Sequence, residues 1–126
     1  MAYVLVVDDN GRVRNSLRRR LERSGYAAKE ASDAAEALDA MSAEPASIVL
    51  LDIRMPGHDG FWLAERILVR WPRTPIIVVS GSDDVATVDK SRRLGAVDYI
   101  QKPFDRELLR QALHRASALI EAHPTP

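Results

Sequence analysis

The sequence contains no cysteine, which excludes disulfides, thiolate nucleophiles and cysteine metal sites. It also lacks an excess of either charge: lysine plus arginine and aspartate plus glutamate each number 18, so the overall charge attracts neither nucleic acid nor an anionic membrane. No apolar run approaches the roughly 18 residues of a membrane helix, and no basic leader precedes the first apolar run. We therefore expect a soluble protein of the reducing cytoplasm that binds neither nucleic acid nor membrane directly.

Short apolar runs alternate along the chain with longer segments of helical period. The runs are mostly apolar on both faces, as in parallel strands covered on both sides, and lie at residues 3–7, 47–51, 75–79 and 96–100, with a weaker one at 26–31. Five helical segments follow them. This alternation predicts an α/β fold, a (βα)5 doubly wound five-stranded parallel sheet with the flavodoxin-like strand order 2-1-3-4-5.

Local signals place the ends of the helices and of the domain. Asp33 and Glu36 are spaced as a capping box, and Gly25 and Gly95 follow helical segments where a C-cap is expected. The length of 126 residues, with 46% apolar residues, suits one domain. We expect this domain to cover residues 1–121, with a tail or the start of a linker at 122–126.

Polar residues stand where four of the predicted strands end: Asp8 and Asp9, Asp52, Ser80 and Lys102. In doubly wound sheets ligands bind beyond the carboxyl ends of the strands, so these side chains are expected in one crevice. Two carboxylates about 4 Å apart repel by about 4 kcal/mol at an effective dielectric of 20, and one lysine does not balance three of them. An all-oxygen cluster with few protein ligands favours Mg²⁺ over Ca²⁺.

A carboxylate beside such an ion can attack a phosphoryl group and form an aspartyl phosphate, whose oxygens a lysine and a hydroxyl could bind. Plainer interpretations remain open for each residue taken alone. Asp8 or Asp9 could be a helix N-cap, Ser80 could be a turn or cap residue, and Lys102 could be an ordinary surface lysine.

Four segments, VLVVDDN, IVLLDIRMPGHDG, IIVVSGSDD and GAVDYIQKPF, together resemble the receiver domain of bacterial two-component response regulators. The resemblance covers residues 3–121. It implies that Asp52 accepts a phosphoryl group from the phosphohistidine of a sensor kinase or a phosphotransfer protein. It also implies a signalling module that phosphorylates and dephosphorylates itself and is not a turnover enzyme.

The resemblance assigns roles to individual residues. It makes Asp9 and Asp52 direct Mg²⁺ ligands, has Asp8 act mostly through water, and supplies the backbone carbonyl of Arg54 as a further ligand. Ser80 and Lys102 would bind the phosphoryl oxygens, and the bond between Lys102 and Pro103 would be cis. Tyr99 matches an aromatic residue whose rotamer reports phosphorylation, so that Ser80 and Tyr99 would switch partner binding.

The partner surfaces are less determined. The first helix carries six arginines: Arg12, Arg14, Arg18, Arg19, Arg20 and Arg23. They form either a solvated face or a docking surface for a kinase. The helix is not expected to bind DNA. An output domain, a downstream protein or a phosphorylation-dependent homodimer would read the switch. The segment GAVDY, residues 95–99, lacks the paired acidic residues that precede the tyrosine in one large DNA-binding subfamily. The charged dimer interface of that subfamily is therefore not expected here.

The remaining singular residues have structural interpretations. Loop geometry explains Met55, Pro56, Gly57 and Gly60, and packing explains Trp62 and Trp71. The histidines have no ligand spacing and are expected on the surface: His58, His114 and His123. Arg54 and Ser82 occupy positions that influence the lifetime of the aspartyl phosphate in the family.

Three other functions share part of the pattern. A metal-dependent phosphohydrolase with an aspartate nucleophile places a second acid two residues after it, where this sequence has Arg54. A flavodoxin-like nucleotide binder needs a phosphate loop rich in glycine and hydroxyl groups after strand one, whereas DDNGR presents charges that repel phosphate. A receiver-like docking module that takes no phosphate would not need the full set of Asp8, Asp9, Asp52, Ser80 and Lys102.

Overall fold

The computed structural model describes residues 2–54, 59–81, 85–103 and 105–122. Within these ranges the chain alternates five strands with five helices, and the predicted (βα)5 fold is confirmed. The elements are β1 (Val4–Val7), α1 (Gly11–Arg23), β2 (Ala28–Ala31), α2 (Ala34–Ala43), β3 (Ile48–Asp52), α3 (Gly60–Arg70), β4 (Ile76–Ser80), α4 (Val85–Leu94), β5 (Asp98–Gln101) and α5 (Arg106–Ala122).

The strands are parallel and lie in the predicted order β2-β1-β3-β4-β5. β3 and β4 each begin and end one residue later than predicted, so Asp52 and Ser80 are the last residues of their strands. β5 begins at Asp98, because the amide of Ala96 still closes the end of α4 by donating to the carbonyl of Ser91 at 3.0 Å.

Alternate residues of the strands enter two cores, one on each side of the sheet. Leu5, Val49 and Val78 pack with residues of α2 and α3 in one core. Leu50 and Ile77 pack with residues of α1 and α5 in the other. Because both faces are covered, β1, β3 and β4 are buried along their whole length, as their apolar sequences predict.

The predicted helix ends are largely confirmed. Gly25 and Gly95 have φ angles of 92° and 100° and follow α1 and α4 in Schellman-type turns, a conformation that favours glycine. The Asp33 side chain accepts from the amide of Glu36 at 2.8 Å. The return bond of the capping box differs, since Glu36 accepts from the amide of Ser32 at 2.6 Å, one residue earlier than the pattern predicts.

Residues outside the site agree with their structural interpretations where they are described. Trp62 and Trp71 are half-buried against the core, and His114 is exposed. Several residues interpreted from the sequence lie outside the described ranges: Met55, Pro56, Gly57, His58, Ser82, His123 and the rest of the predicted tail. In the part of the chain that the structure describes, no helix is both long enough and apolar enough to cross a membrane.

Candidate functional site

Three carboxylates meet at the carboxyl ends of β1 and β3. Val7 and Leu51 are register partners of adjacent parallel strands, so the residues that follow them, Asp8 and Asp52, lie side by side. One oxygen from each of Asp8, Asp9 and Asp52 lies within 4.8 Å of the others. Asp8 and Asp52 are buried, while Asp9 is exposed. The cluster is thus open to solvent on the side of Asp9.

Lys102 brings a positive charge into this crevice from the end of β5. Its Nζ donates to Asp8 Oδ2 at 2.8 Å and to Asp52 Oδ2 at 3.4 Å. Its amide donates to the carbonyl of Ser80 at 2.7 Å, and its bond to Pro103 is cis, as expected. The plain interpretation of Lys102 as a free surface residue is therefore wrong.

The charges of the cluster are not balanced. Burial raises the pKa of the Asp52 carboxyl, and the charge of Asp8 adds to the increase against the opposing effects of the Arg54 amide and Lys102. Burial lowers the pKa of Lys102, but the hydrogen bonds and charges of Asp8 and Asp52 outweigh it and raise the value. One ammonium group shared by Asp8 and Asp52 cannot fully neutralise the charge of either carboxylate. A third carboxylate, Asp9, adds a further negative charge.

This donor set fits a hard divalent cation. The three carboxylates and one ammonium carry a formal charge of about −2, which a doubly charged ion would neutralise. Oxygen ligands on one side and solvent on the other suit Mg²⁺, which usually keeps several of its waters. Asp8, Asp9 and Asp52 are the residues that would hold it.

The other predicted site residues surround the carboxylates. The amide of Arg54 donates to Asp52 Oδ1 at 3.1 Å, while the Arg54 side chain is exposed. Ser80 is fully buried at the end of β4, next to β5. Tyr99 is half-buried on β5 and packs against the core that α2 and α3 cover. The roles that the resemblance gives these three residues remain predictions.

The start of α3 presses directly against the backbone that carries Asp52. The amide of Gly60 donates to the carbonyl of Ile53 at 2.7 Å. A Cβ atom at Gly60 would stand 2.5 Å from the carbonyl oxygen of Asp52 and 2.6 Å from Cα of Ile53, closer than such atoms can approach. Gly60 therefore allows the close contact that fixes the end of β3.

We expect Gly60→Ala to displace the end of β3 and to lower the free energy of unfolding by about 1–3 kcal/mol, the usual cost of overpacking. Urea unfolding followed by circular dichroism measures the loss. The matched control is Gly81→Ala, because a Cβ there meets no atom within 4 Å. Equal stability of the two variants would contradict the close-contact interpretation.

Sequence reasoning did not single out three residues that shape the site. Asn10 is the N-cap of α1, since its side chain accepts from the amides of Arg12 and Val13, so the N-cap interpretation of Asp8 and Asp9 is wrong. Arg14 donates to the carbonyl of Asp8, and Glu30 accepts from Arg14. The one available signal was Glu30, a carboxylate in a predicted strand that an arginine of the preceding helix could pair with.

The model of the response regulator receiver domain family matches residues 4–114, and the chain belongs to this family. It is 39% identical to the C4-dicarboxylate transport transcriptional regulatory protein DctD of Rhizobium meliloti, over 90% of the chain and 25% of DctD. It is 34% identical to the transcriptional regulatory protein FixJ of Bradyrhizobium diazoefficiens, over 97% of the chain and 58% of FixJ.

The solved structures agree with this assignment. The receiver domain of NtrX from Brucella abortus superimposes with a TM-score of 0.86 at 34% identity, covering 90% of this chain and 96% of that one. The chain is thus homologous to the phosphoacceptor domains of response regulators, which are signalling modules of two-component systems, and its aspartate cluster is compatible with phosphorylation and a magnesium site. It spans about a quarter of the length of DctD.

Proposed function

We propose that Asp52 is the phosphoacceptor of this receiver and that its phosphorylation by a sensor histidine kinase or a phosphotransfer protein switches the binding of a partner. The observation that carries the proposal is the position of Asp52 at the end of β3, beside the carboxylate of Asp8 and in contact with the ammonium group of Lys102, which bridges the two carboxylates. A second acid two residues after the nucleophile, as in the competing phosphohydrolases, is absent because Arg54 stands there.

The chemistry follows from the groups in the crevice. An oxygen of Asp52 attacks the phosphorus of a phosphohistidine, the oxygen–phosphorus bond forms, and the nitrogen–phosphorus bond breaks with the electron pair leaving on the imidazole. Lys102 would then exchange part of its contact with Asp8 and Asp52 for a phosphoryl oxygen, and the hydroxyl of Ser80 would bind another.

The direct ligands proposed for Mg²⁺ are Asp9, Asp52 and the backbone carbonyl of Arg54, and Asp8 is proposed to act on the ion mostly through water. The bound ion would neutralise the charge that the phosphoryl group adds to the carboxylates. The residues themselves orient this arrangement: the amide of Arg54 fixes one oxygen of Asp52, which leaves the other oxygen toward Lys102. Asp9, the exposed member, lies on the solvent side, where the phosphodonor must approach.

The partner that reads the switch is proposed to contact the surface of α4, β5 and α5. Tyr99 lies on β5, three residues before Lys102, and is proposed to couple the crevice to this surface. Within α4 the buried residue is Ser91, and no apolar side chain of this helix is fully buried. A helix held by so few buried side chains is suited to a change of position. An output domain, a downstream protein or a second copy of the chain could be the partner.

Incubation with acetyl phosphate tests the phosphoacceptor proposal. We expect intact-mass spectrometry to show the gain of one phosphoryl group when Mg²⁺ is present and no gain after chelation, since the uncompensated carboxylates repel the donor. Peptide mapping after reduction of the acyl phosphate should place the group at Asp52. Bound Mg²⁺ without phosphorylation by acetyl phosphate or by a purified phosphodonor protein would favour the docking module that takes no phosphate.

A further inference from the structure

The main chain of Asp8 is held by a side chain that does not face the crevice. Arg14, in the first turns of α1, donates from Nη1 to the carbonyl oxygen of Asp8 at 2.8 Å. The amide of Asp8 donates to Ala31 of β2 at 3.2 Å, and the amide of Asn10 donates to the Asp8 side chain at 2.9 Å. The peptide group that joins Asp8 to Asp9 therefore has its orientation set by the Arg14 guanidinium group.

Glu30 fixes the direction in which Arg14 points. Nε of Arg14 donates to one oxygen of Glu30 at 2.9 Å, and Nε of Arg18 donates to the other at 2.6 Å. Glu30 lies on β2 beside Val6 of β1, so it is anchored to the same sheet that carries Asp8. Burial raises the pKa of Glu30, but the hydrogen bonds of Arg18 and Arg14 outweigh this and lower it, so the carboxylate stays charged.

Asp9 depends on this support more than its neighbours do. The Asp8 side chain is held by Lys102 and Asn10, and that of Asp52 by Lys102 and Arg54. The Asp9 side chain is exposed, and among the described residues no hydrogen bond holds its carboxylate. Its position is therefore set by the backbone that precedes it, and that backbone ends at the carbonyl that Arg14 binds.

We propose that Arg14, oriented by Glu30, is a positioning residue of the metal site: it fixes the peptide between Asp8 and Asp9 and thereby places the Asp9 carboxylate for a divalent cation. The inference rests on the proposed function, because it assumes that Asp9 is a ligand. It distinguishes Arg14 from the solvated arginines with which the sequence groups it, since its side chain is only 20% exposed.

If Arg14 is a positioning residue, its removal should change the affinity for Mg²⁺ in the direction opposite to the one that its charge alone predicts. Removing a cation near three carboxylates should tighten Mg²⁺ binding if charge alone mattered. If Arg14 positions Asp9, its removal should weaken binding, as the loss of outer-shell partners of a metal site does. We expect Arg14→Ala to raise the Kd for Mg²⁺ by about tenfold.

Isothermal titration of the full chain with Mg²⁺ measures this effect. The matched control is Arg18→Ala, which also removes a partner of Glu30 but has no contact with Asp8, and its Kd should stay within about twofold of wild type. Arg14→Lys, with one donor group, should recover part of the affinity, and Glu30→Gln should lose part of it. Urea unfolding of each variant separates a loss of metal affinity from a loss of fold.

A double variant tests whether Arg14 acts through Asp9. In the background of Asp9→Asn, the further change Arg14→Ala should raise the Kd by less than about twofold, because the carboxylate that Arg14 positions is already gone. Full additivity, or unchanged or tighter binding by Arg14→Ala alone, would overturn the inference and leave the proposed function intact. Failure of the wild type to bind Mg²⁺ would overturn both. If Arg14→Ala does not fold, Arg14→Lys and Glu30→Gln decide the question by the same criteria.

Discussion

Asparagine in place of Asp52 is expected to abolish phosphorylation and at the same time to stabilise the metal-free domain. The first effect follows because a neutral amide is not a nucleophile toward phosphorus. The second follows from the geometry. Two carboxylate charges within 4.8 Å of each other repel by about 3 kcal/mol or more at an effective dielectric of 20. Loss of the attraction to Lys102 cancels part of the relief, so we expect a net gain of about 1–2 kcal/mol.

The gain should depend on pH in a defined direction. Burial and the Asp8 charge raise the pKa of Asp52. The Asp52 carboxyl group of the folded protein therefore keeps its proton at pH values where the same group of the unfolded chain has lost it. The contribution of Asp52 to wild-type stability therefore falls as the pH rises from the unfolded value of about 4 through the raised folded value. The advantage of the asparagine variant should grow over that interval and then become constant.

Urea unfolding in the presence of a chelator, at several pH values between about 4 and 8, measures the free energy of unfolding of the wild type and of Asp52→Asn. Asp39→Asn, which removes an exposed carboxylate of α2, is the control for the general effect of net charge. A stability loss in Asp52→Asn, or a gain no larger than that of Asp39→Asn, would contradict the account of a repelling carboxylate cluster.

Much of this site could be predicted because its residues stand at the ends of buried strands. The apolar runs of β1, β3 and β4 are unambiguous, and in a parallel sheet the positions that follow them meet at one edge whatever the rest of the chain does. The strand order and the parallel direction of the strands were therefore enough to predict that Asp8, Asp52 and Lys102 meet.

The support around the site could not be predicted because it depends on how α1 is rotated against the sheet. Six arginines on one helix look alike in sequence, yet Arg14 and Arg18 turn toward Glu30 while Arg19 and Arg23 remain exposed. Likewise, Asp8, Asp9 and Asn10 are all suitable N-cap residues for α1. Which of them caps the helix depends on where β1 ends and α1 begins, and in the structure it is Asn10.

Lys102→Ala is the second change for which we expect a large effect, because it leaves Asp8 and Asp52 without the ammonium group that contacts them. Breaking a buried ion pair exposes the remaining charges to their mutual repulsion in a poorly solvated place. Since the Lys102 side chain is 23% exposed, we expect a loss of about 2 kcal/mol in metal-free buffer, below the range for fully buried pairs. We expect the rate of phosphorylation to fall roughly 100-fold, as when one donor to a developing oxyanion is removed.

The two losses should respond differently to Mg²⁺. The ion replaces the missing positive charge, so saturating Mg²⁺ should restore most of the stability of Lys102→Ala, whereas the phosphorylation rate should remain low because the donor to the phosphoryl oxygen is still absent. Arg93→Ala, which breaks an exposed ion pair of α4 with Asp89, is the control and should change stability by less than about 1 kcal/mol. If Lys102→Ala is phosphorylated as fast as wild type at saturating Mg²⁺, Lys102 only balances charge. A stability loss that Mg²⁺ does not relieve would mean that the contacts of Lys102, and not the repulsion between the carboxylates, stabilise the fold.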